Sequence, residues 1–150
     1  MSWIGRGATL LGIGHAPLAP GTAASLVALP FAALIATWFG SLPLLGAALG
    51  VGVLAVPISG IYAKQAGRDD PSECVIDELA GQWLACAFAP LNWQGYALAF
   101  VLFRLFDMTK LWPVSAAERM RGGFAIVADD LVAGAMAGAI VLLAAHFGLL

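Results

Sequence analysis

Long apolar runs alternate with short polar stretches along this chain, and the alternation predicts membrane helices. No charged residue occurs between Thr22 and Tyr62. This run is longer than one membrane crossing requires, and the turn residues Gly40-Ser41-Leu42-Pro43 lie in its middle. The pattern therefore predicts two helices, at about 22–39 and about 43–64, that form a tight hairpin.

The next apolar region, Leu79–Phe103, allows two interpretations. As one span, it would place the polar stretches Lys64–Glu78 and Arg104–Asp130 on opposite faces of a membrane. As two shorter helices that turn at Pro90–Trp93, it would return both stretches to one face. The second interpretation puts every lysine and arginine on one face, as the positive-inside tendency favours. We therefore expect a short, partly immersed hairpin at 79–106.

Composition supports the membrane assignment. Apolar residues make up 61% of the chain and charged residues only 11%, whereas about 25% are charged in an ordinary soluble domain. A soluble chain of this length would need more polar surface to cover its core. With a last apolar helix at about 129–147, the prediction is an all-α, polytopic membrane protein. It would have about four membrane-embedded segments in a single domain, residues 1–150.

Composition also excludes some classes of function. The net charge is −2, and no basic stripe with interleaved aromatic residues is present, so nucleic acid is not an expected partner. Cys74 and Cys86 form no Cys-x-x-Cys pair, so neither a zinc site nor a disulfide framework is indicated. The Gly-x-x-x-Gly spacings at 46–50 and 134–138 permit close helix contact and a homo-oligomer, but they specify no register.

The acidic side chains come in tight groups near predicted helix ends. Asp77 and Glu78 open one helix, Asp107 lies close to the end of another, and Asp129 and Asp130 open the last. Five carboxylates on one membrane face would repel one another unless a cation joined them, and oxygen ligands suit Mg²⁺. The alternative is helix capping by the first acid of each pair. Capping does not explain why a second acid follows.

Arg104, Asp107 and Lys110 lie three residues apart, so on a helix they share one face. One interpretation is an ion-paired stripe at the membrane surface, with the long cationic stems lying along apolar groups. The functional interpretation is a phosphate clamp made of the two cations, beside a metal ligand.

The turn-rich segment 15–22 leads directly into the first long helix. Thr22 and Ser25 offer hydroxyl groups at that helix N-terminus, where free backbone N–H groups attract anions. An ordinary turn with an N-cap is the alternative. His15 is a candidate proton carrier, although a lone histidine is more often structural. His146 is expected on the other side of the membrane.

Four blocks of this sequence resemble the bacterial phosphatidylglycerophosphatase A family. The blocks are APLAPGT at 16–22, VIDELAG at 75–81, FRLFDMTK at 103–110 and ADDLVAG at 128–134. They follow the order of the family signature, which is APGT, (V/I)xDExxG, FRxFDxxKPxP and DDxxAG. Two departures occur. Ala23-Ala24-Ser25 follows APGT in place of a Trp-Gly-Thr/Ser continuation, and Leu111 replaces the proline after Lys110.

The resemblance implies a Mg²⁺-dependent phosphatase of phospholipid biosynthesis. Its lipid substrate would be phosphatidylglycerophosphate, which loses its terminal phosphate to give phosphatidylglycerol. The enzyme would be a multi-pass protein of a bacterial inner membrane, with its active site facing the cytoplasm. The implied catalytic and metal-binding acids are Asp77, Glu78, Asp107, Asp129 and Asp130, with Lys110 as a catalytic cation. The implied phosphate-binding residues are Gly21, Thr22, Arg104 and Lys110, to which we add His15 as a candidate.

Other chemistries fit less well. Neither cysteine precedes an arginine at the Cys-x5-Arg spacing, and the Asp-Gly array of lipid transferases that use metal-bound carboxylates is missing. A small membrane carrier or ion-binding protein that uses clustered carboxylates is the alternative from another class, and it predicts acids at mid-membrane depth. The residues leave open how many metal ions bind and whether Glu78 or Asp129 is the base.

Overall fold

The computed structural model describes residues 2–150, and these residues form helices and connecting turns without any strand. The expected all-α fold is confirmed. The elements are α1 (Trp3–Ala8), a 3₁₀ segment (Leu10–His15), α2 (Pro20–Phe39), α3 (Ser41–Ala66), α4 (Ile76–Ala87), α5 (Trp93–Thr109), α6 (Val114–Glu118) and α7 (Gly123–His146). Within the described residues, α2, α3 and α7 are long and apolar enough to cross a membrane.

Helices α2 and α3 form the expected hairpin, and the connection is tighter than the sequence predicted. Gly40 alone separates them, with φ at 95° and ψ at 174°, a conformation that a residue without Cβ adopts at low cost. Pro43 lies in the first turn of α3, where its missing N–H has no intrahelical acceptor to lose. Large apolar side chains such as Trp38 and Leu42 remain exposed, as a lipid-facing surface requires.

The predicted short hairpin between the two polar stretches is confirmed as α4 and α5. Helix α4 has 12 residues, about 18 Å at the rise of an α-helix, and is therefore too short to span about 30 Å of hydrocarbon. Asn92 ends the connection by capping α5, since its side chain accepts a hydrogen bond of 2.7 Å from the Gly95 amide. The hairpin returns the chain to the end at which it entered, so both polar stretches lie at one end of the bundle.

The last long helix begins earlier than predicted. Instead of starting at Asp129, α7 starts at Gly123, so both of its acids lie about two turns inside it. Gly122 precedes the helix with φ at 71°, in the left-handed region that favours glycine. At Gly123, a Cβ would lie 2.7 Å from the Gly60 amide nitrogen of α3. The glycine pair therefore both starts α7 and allows its close contact with α3.

Helix α4 lies at the centre, in contact with α2, α3, α5 and α7. Its crossing with α7 depends on small residues, because a Cβ at Gly81 would lie 2.6 Å from the Asp130 carbonyl oxygen. Gly134 in turn faces the Gly81 backbone, so this half of the 134–138 spacing serves packing inside the chain. Gly46 has open space around it. The close crossing brings the acidic ends of α4 and α7 together.

Candidate active site

Three helices bring the five predicted carboxylates together at one end of the bundle. Asp77 and Glu78 come from the first turn of α4, Asp107 from the last turn of α5, and Asp129 and Asp130 from α7. The four aspartates are buried, with 3–8% of their surface exposed, and Glu78 is half-buried. Burying several like charges is costly unless they are neutralised.

The carboxylates form two groups that share one residue. Asp77, Glu78 and Asp130 each offer an oxygen, and these oxygens lie within 4.8 Å of one another. Asp107, Asp129 and Asp130 form a second group at the same spacing. Asp130 thus belongs to both, and each group has a donor set made only of carboxylate oxygens, the kind that hard divalent cations prefer.

Capping does not account for these acids. Val75 is the N-cap of α4 and no side chain caps that helix, although Asp77 follows two residues later. Asp129 is too far inside α7 to cap it. The placement of Asp129 and Asp130 at the start of the last helix was wrong, because the preceding apolar residues after Gly123 continue the helical pattern.

Two cations contact the second group. Lys110 Nζ lies 2.9 Å from Asp107 Oδ1 and 2.6 Å from Asp129 Oδ2, and so joins α5 to α7. Arg104 Nη1 donates to Asp107 Oδ2. Arg104 and Asp107 share a helix face as predicted. Lys110 also bonds to Asp107 at the predicted spacing, although it is the C-cap of α5 in the left-handed conformation, with φ at 49°.

The Lys110 ammonium group is held in its charged form. Burial lowers its pKa, but the bonds to Asp129 and Asp107 outweigh burial and raise the pKa above its usual value. A positive charge between two buried carboxylates favours their ionised forms and holds them close to each other.

Several buried polar atoms at the site have no hydrogen-bond partner among residues 2–150. They include Asp77 Oδ1, Glu78 Oε2 and Arg104 Nε. Buried polar groups are nearly always paired in native proteins, so unpaired ones mark positions where water, a ligand or an ion can bind. These three atoms are therefore available to a bound group.

Ser25 Oγ and Gln82 Oε1 are also buried and unpaired in the described chain. Each lies one helical turn beyond a site residue, since Ser25 follows Gly21 and Gln82 follows Glu78 at the i+4 position. Sequence reasoning missed Gln82. The available signal was a lone amide within the otherwise apolar part of α4 that follows the acidic pair.

The N-terminus of α2 meets the same site. Gly21 is buried, and a Cβ there would overlap the Glu78 carboxylate and lie 3.1 Å from Arg104 Nη1. Thr22 is half-buried beside it. His15 is exposed at the end of the 3₁₀ segment, and no hydrogen bond in the described residues joins it to the cluster. His146 ends α7 and packs on Phe147 at the opposite end.

A groove of about 960 Å³ opens beside Asp129. It lies between the end of α3, the loop after it and the segment that leads into α7. Its wall contains several charged residues besides Asp129: Lys64, Arg68, Asp69, Asp70, Glu118 and Arg121. Only spatial proximity reveals this relationship, because these residues belong to no shared motif.

The comparisons with known proteins agree on one family. The family model described as phosphatidylglycerophosphatase A matches residues 7–145. Phosphatidylglycerophosphatase A of Escherichia coli is 37% identical over 137 residues, covering 90% of this chain and 79% of that protein. A putative phosphatidylinositol-3-phosphatase of Bacteroides thetaiotaomicron is 36% identical over 143 residues, covering 84% of this chain and 83% of that protein. No solved structure gives a significant match.

Proposed function

The chain belongs to the phosphatidylglycerophosphatase A family, and from this we propose that it hydrolyses phosphatidylglycerophosphate to phosphatidylglycerol and inorganic phosphate. Water adds to the terminal phosphorus, and the bond from phosphorus to the glycerol oxygen breaks. Membership in a family of phosphatases argues against the carrier alternative. The observation that supports the reaction best is the convergence of five carboxylates, Arg104 and Lys110 at one end of the bundle.

Mg²⁺ fits this donor set. All five carboxylates of the cluster are oxygen ligands, and Asp77 Oδ1 is buried without a partner in the described residues. We propose that the two groups hold one ion each and that Asp130 contributes to both. A bound Mg²⁺ would supply charge neutralisation for the phosphate and a more acidic water.

The cations of this chain would hold the phosphate. Arg104 uses one Nη on Asp107 and keeps Nε without a partner, so one edge of its guanidinium remains available to a phosphate oxygen. Gly21 and Thr22 lie in the first turn of α2, where backbone N–H groups lack intrahelical acceptors and attract anions. Lys110 would orient Asp107 and Asp129 and offset the charge that develops on the phosphate.

Of the two candidate bases, the arrangement favours Glu78. Asp129 Oδ2 already accepts a hydrogen bond from Lys110, which holds that oxygen to a cation. Glu78 Oε2 has no such partner in the described residues. We therefore propose that Glu78 takes the proton from the attacking water and later releases it to solvent, while the departing glycerol oxygen takes a proton from solvent.

The protein would lie in a bacterial inner membrane with the site facing the cytoplasm. Three helices have the length and hydropathy of membrane spans. The lysines and arginines all belong to segments at the site end of the bundle: Arg6, Lys64, Arg68, Arg104, Lys110, Arg119 and Arg121. The positive-inside tendency places such an end in the cytoplasm.

A substrate panel tests the proposal. The purified protein in neutral detergent micelles, with Mg²⁺, receives phosphatidylglycerophosphate, phosphatidylinositol 3-phosphate or phosphatidic acid, and released phosphate is measured. We expect the fastest turnover with phosphatidylglycerophosphate. Preference for the inositol lipid would instead favour the activity named for the Bacteroides relative. Absence of phosphate release from phosphatidylglycerophosphate would refute the proposed function.

A further inference from the structure

The groove beside the carboxylate cluster has a polar mouth and an apolar wall. Its wall includes Pro57, Gly60 and Ile61 of α3, a helix with the properties of a membrane span. Gly60 approaches Gly123 closely, which forms the narrow contact between α3 and α7. Asp129 belongs both to the groove and to the second carboxylate group. The groove therefore runs from a lipid-facing helix to the reactive end of the bundle.

The cations that line the groove differ in whether they are ion-paired. Arg68 is paired with Glu73, with Arg68 Nη2 2.7 and 2.8 Å from the two carboxylate oxygens. Lys64 and Arg121 are exposed, and among residues 2–150 neither makes an ion pair. Lys64 comes from the last turn of α3 and Arg121 from the segment before α7. Two cations from different segments are thus available to an anion in the groove.

Asp70 lines the groove together with Asp129 of the carboxylate cluster. The pKa of Asp70 is raised, mainly because neighbouring protein atoms desolvate its carboxyl, while nearby Lys110 lowers it and Glu118 and Asp107 raise it further. Asp70 therefore lies within electrostatic reach of the site residues Lys110 and Asp107. An anion in the groove would be repelled from this end and attracted to the unpaired cations.

We propose that Lys64 and Arg121 bind the phosphodiester of the lipid substrate while its terminal phosphate occupies the carboxylate cluster. This inference rests on the proposed function. Phosphatidylglycerophosphate carries a terminal monoester and a diester joined by a glycerol unit, so a second anion must lie a short distance from the reacting one. The groove offers volume for the glycerol, cations for the diester and an apolar wall on the side of the bilayer. The pair would make the enzyme selective for lipids that carry both phosphates.

Kinetics of charge-removing variants test the assignment. Lys64→Ala, Arg121→Ala and the double variant are compared with wild type on phosphatidylglycerophosphate and on phosphatidic acid, which has no diester. We expect KM for phosphatidylglycerophosphate to rise about tenfold in each single variant and more in the double, with kcat little changed, since each removes one charge-assisted contact. Turnover of phosphatidic acid should not change. Lys64→Arg and Arg121→Lys should restore most of the affinity.

Arg119→Ala is the matched control, because Arg119 is exposed two residues before Arg121 but does not line the groove. Short-chain phosphatidylglycerol, which carries the diester without the monoester, gives an independent measurement as an inhibitor. It should compete with the substrate for wild type and for Arg119→Ala with similar inhibition constants. For either groove variant, its inhibition constant should be about tenfold higher. In neutral micelles, a general attraction of the cations to an anionic lipid surface does not contribute to KM. A second series of assays with added anionic lipid measures that attraction.

The possible results distinguish the groove assignment from the proposed function. If wild type hydrolyses phosphatidylglycerophosphate but the groove variants keep the wild-type KM and inhibition, the groove assignment is wrong and the proposed function stands. The assignment is also wrong if the variants lose activity only in the series with added anionic lipid, since the cations would then bind the bilayer surface. If wild type releases no phosphate from this lipid, the proposed function fails.

Discussion

The backbone carbonyl of Asp130 lies so close to Gly81 that no side chain fits between them: a Cβ at position 81 would be 2.6 Å from that oxygen. The contact fixes how deeply α4 and α7 approach each other. Asp77, one turn before Gly81, and Asp130 consequently belong to the same group of carboxylates. A packing contact between two helices is therefore also what gives the site its geometry.

Gly81→Ala should damage both stability and activity. The added methyl group would push α4 away from α7, and overpacking of this kind costs about 1–3 kcal/mol. Thermal unfolding in detergent and phosphate release are the measurements. Gly46→Ala is the control, because nothing lies within 4 Å of a Cβ there and alanine favours the helix. Equal behaviour of the two variants would mean that the close crossing has no role in forming the site.

Gly21→Ala should reduce activity far more than stability. A Cβ at Gly21 would overlap the Glu78 carboxylate, a flexible side chain that can move away, and would lie 3.1 Å from Arg104 Nη1. We expect kcat to fall at least about tenfold, since misplacing a reactive group by about 1 Å is costly. Gly50→Ala, at a position with open space on α3, should remain fully active. A fully active Gly21→Ala variant would show that the N-terminus of α2 is not part of the site.

Replacing Lys110 by glycine should inactivate the protein without straining its backbone. The residue adopts φ at 49°, which glycine tolerates, so the variant removes the side chain, with its bonds to Asp107 and Asp129, and adds no backbone strain. We expect kcat to fall about 100-fold, the scale found for loss of a positioned charge donor. Lys110→Asn, which also suits this conformation, should lose the same activity. Retention of activity in either variant would contradict the assigned role.

Asp130→Asn should weaken Mg²⁺ binding more than Asp77→Asn. Asp130 belongs to both carboxylate groups, whereas Asp77 belongs to one. We expect the Mg²⁺ concentration for half-maximal activity to rise in both variants, with the larger increase in Asp130→Asn. Glu73→Gln is the matched control, since Glu73 pairs with exposed Arg68 outside both groups. A larger effect of Asp77→Asn would argue against a shared residue.

Much of the architecture follows from where charges are absent. The uncharged run from Thr22 to Tyr62 and the break at Pro90–Trp93 predict the two hairpins, and the second hairpin places both polar stretches at one end. The resulting convergence of Asp77, Asp107 and Asp130 is what the structure contains. Periodicity and turn residues are local signals, and they were sufficient for these features.

Other features depend on contacts between distant segments and were not predictable. The last helix was predicted from about residue 129, but it starts at Gly123, where Gly123 packs on Gly60. Lys110 fits a helical spacing, yet it leaves the helix to reach Asp129. Asp70 belongs to none of the four family-like blocks, and only the folded chain places it in the same groove as Asp129.

The most direct test of the central claim follows the terminal phosphorus of phosphatidylglycerophosphate by ³¹P NMR in one sample. Purified protein is first incubated with a chelator, and Mg²⁺ is then added in excess. We expect the monoester signal to be stable until Mg²⁺ is added and then to convert to inorganic phosphate, while the diester signal persists. Asp130→Asn should show conversion at least about 100-fold slower. Conversion by wild type before Mg²⁺, or an equal rate in Asp130→Asn, would contradict a carboxylate-bound metal as the basis of this activity.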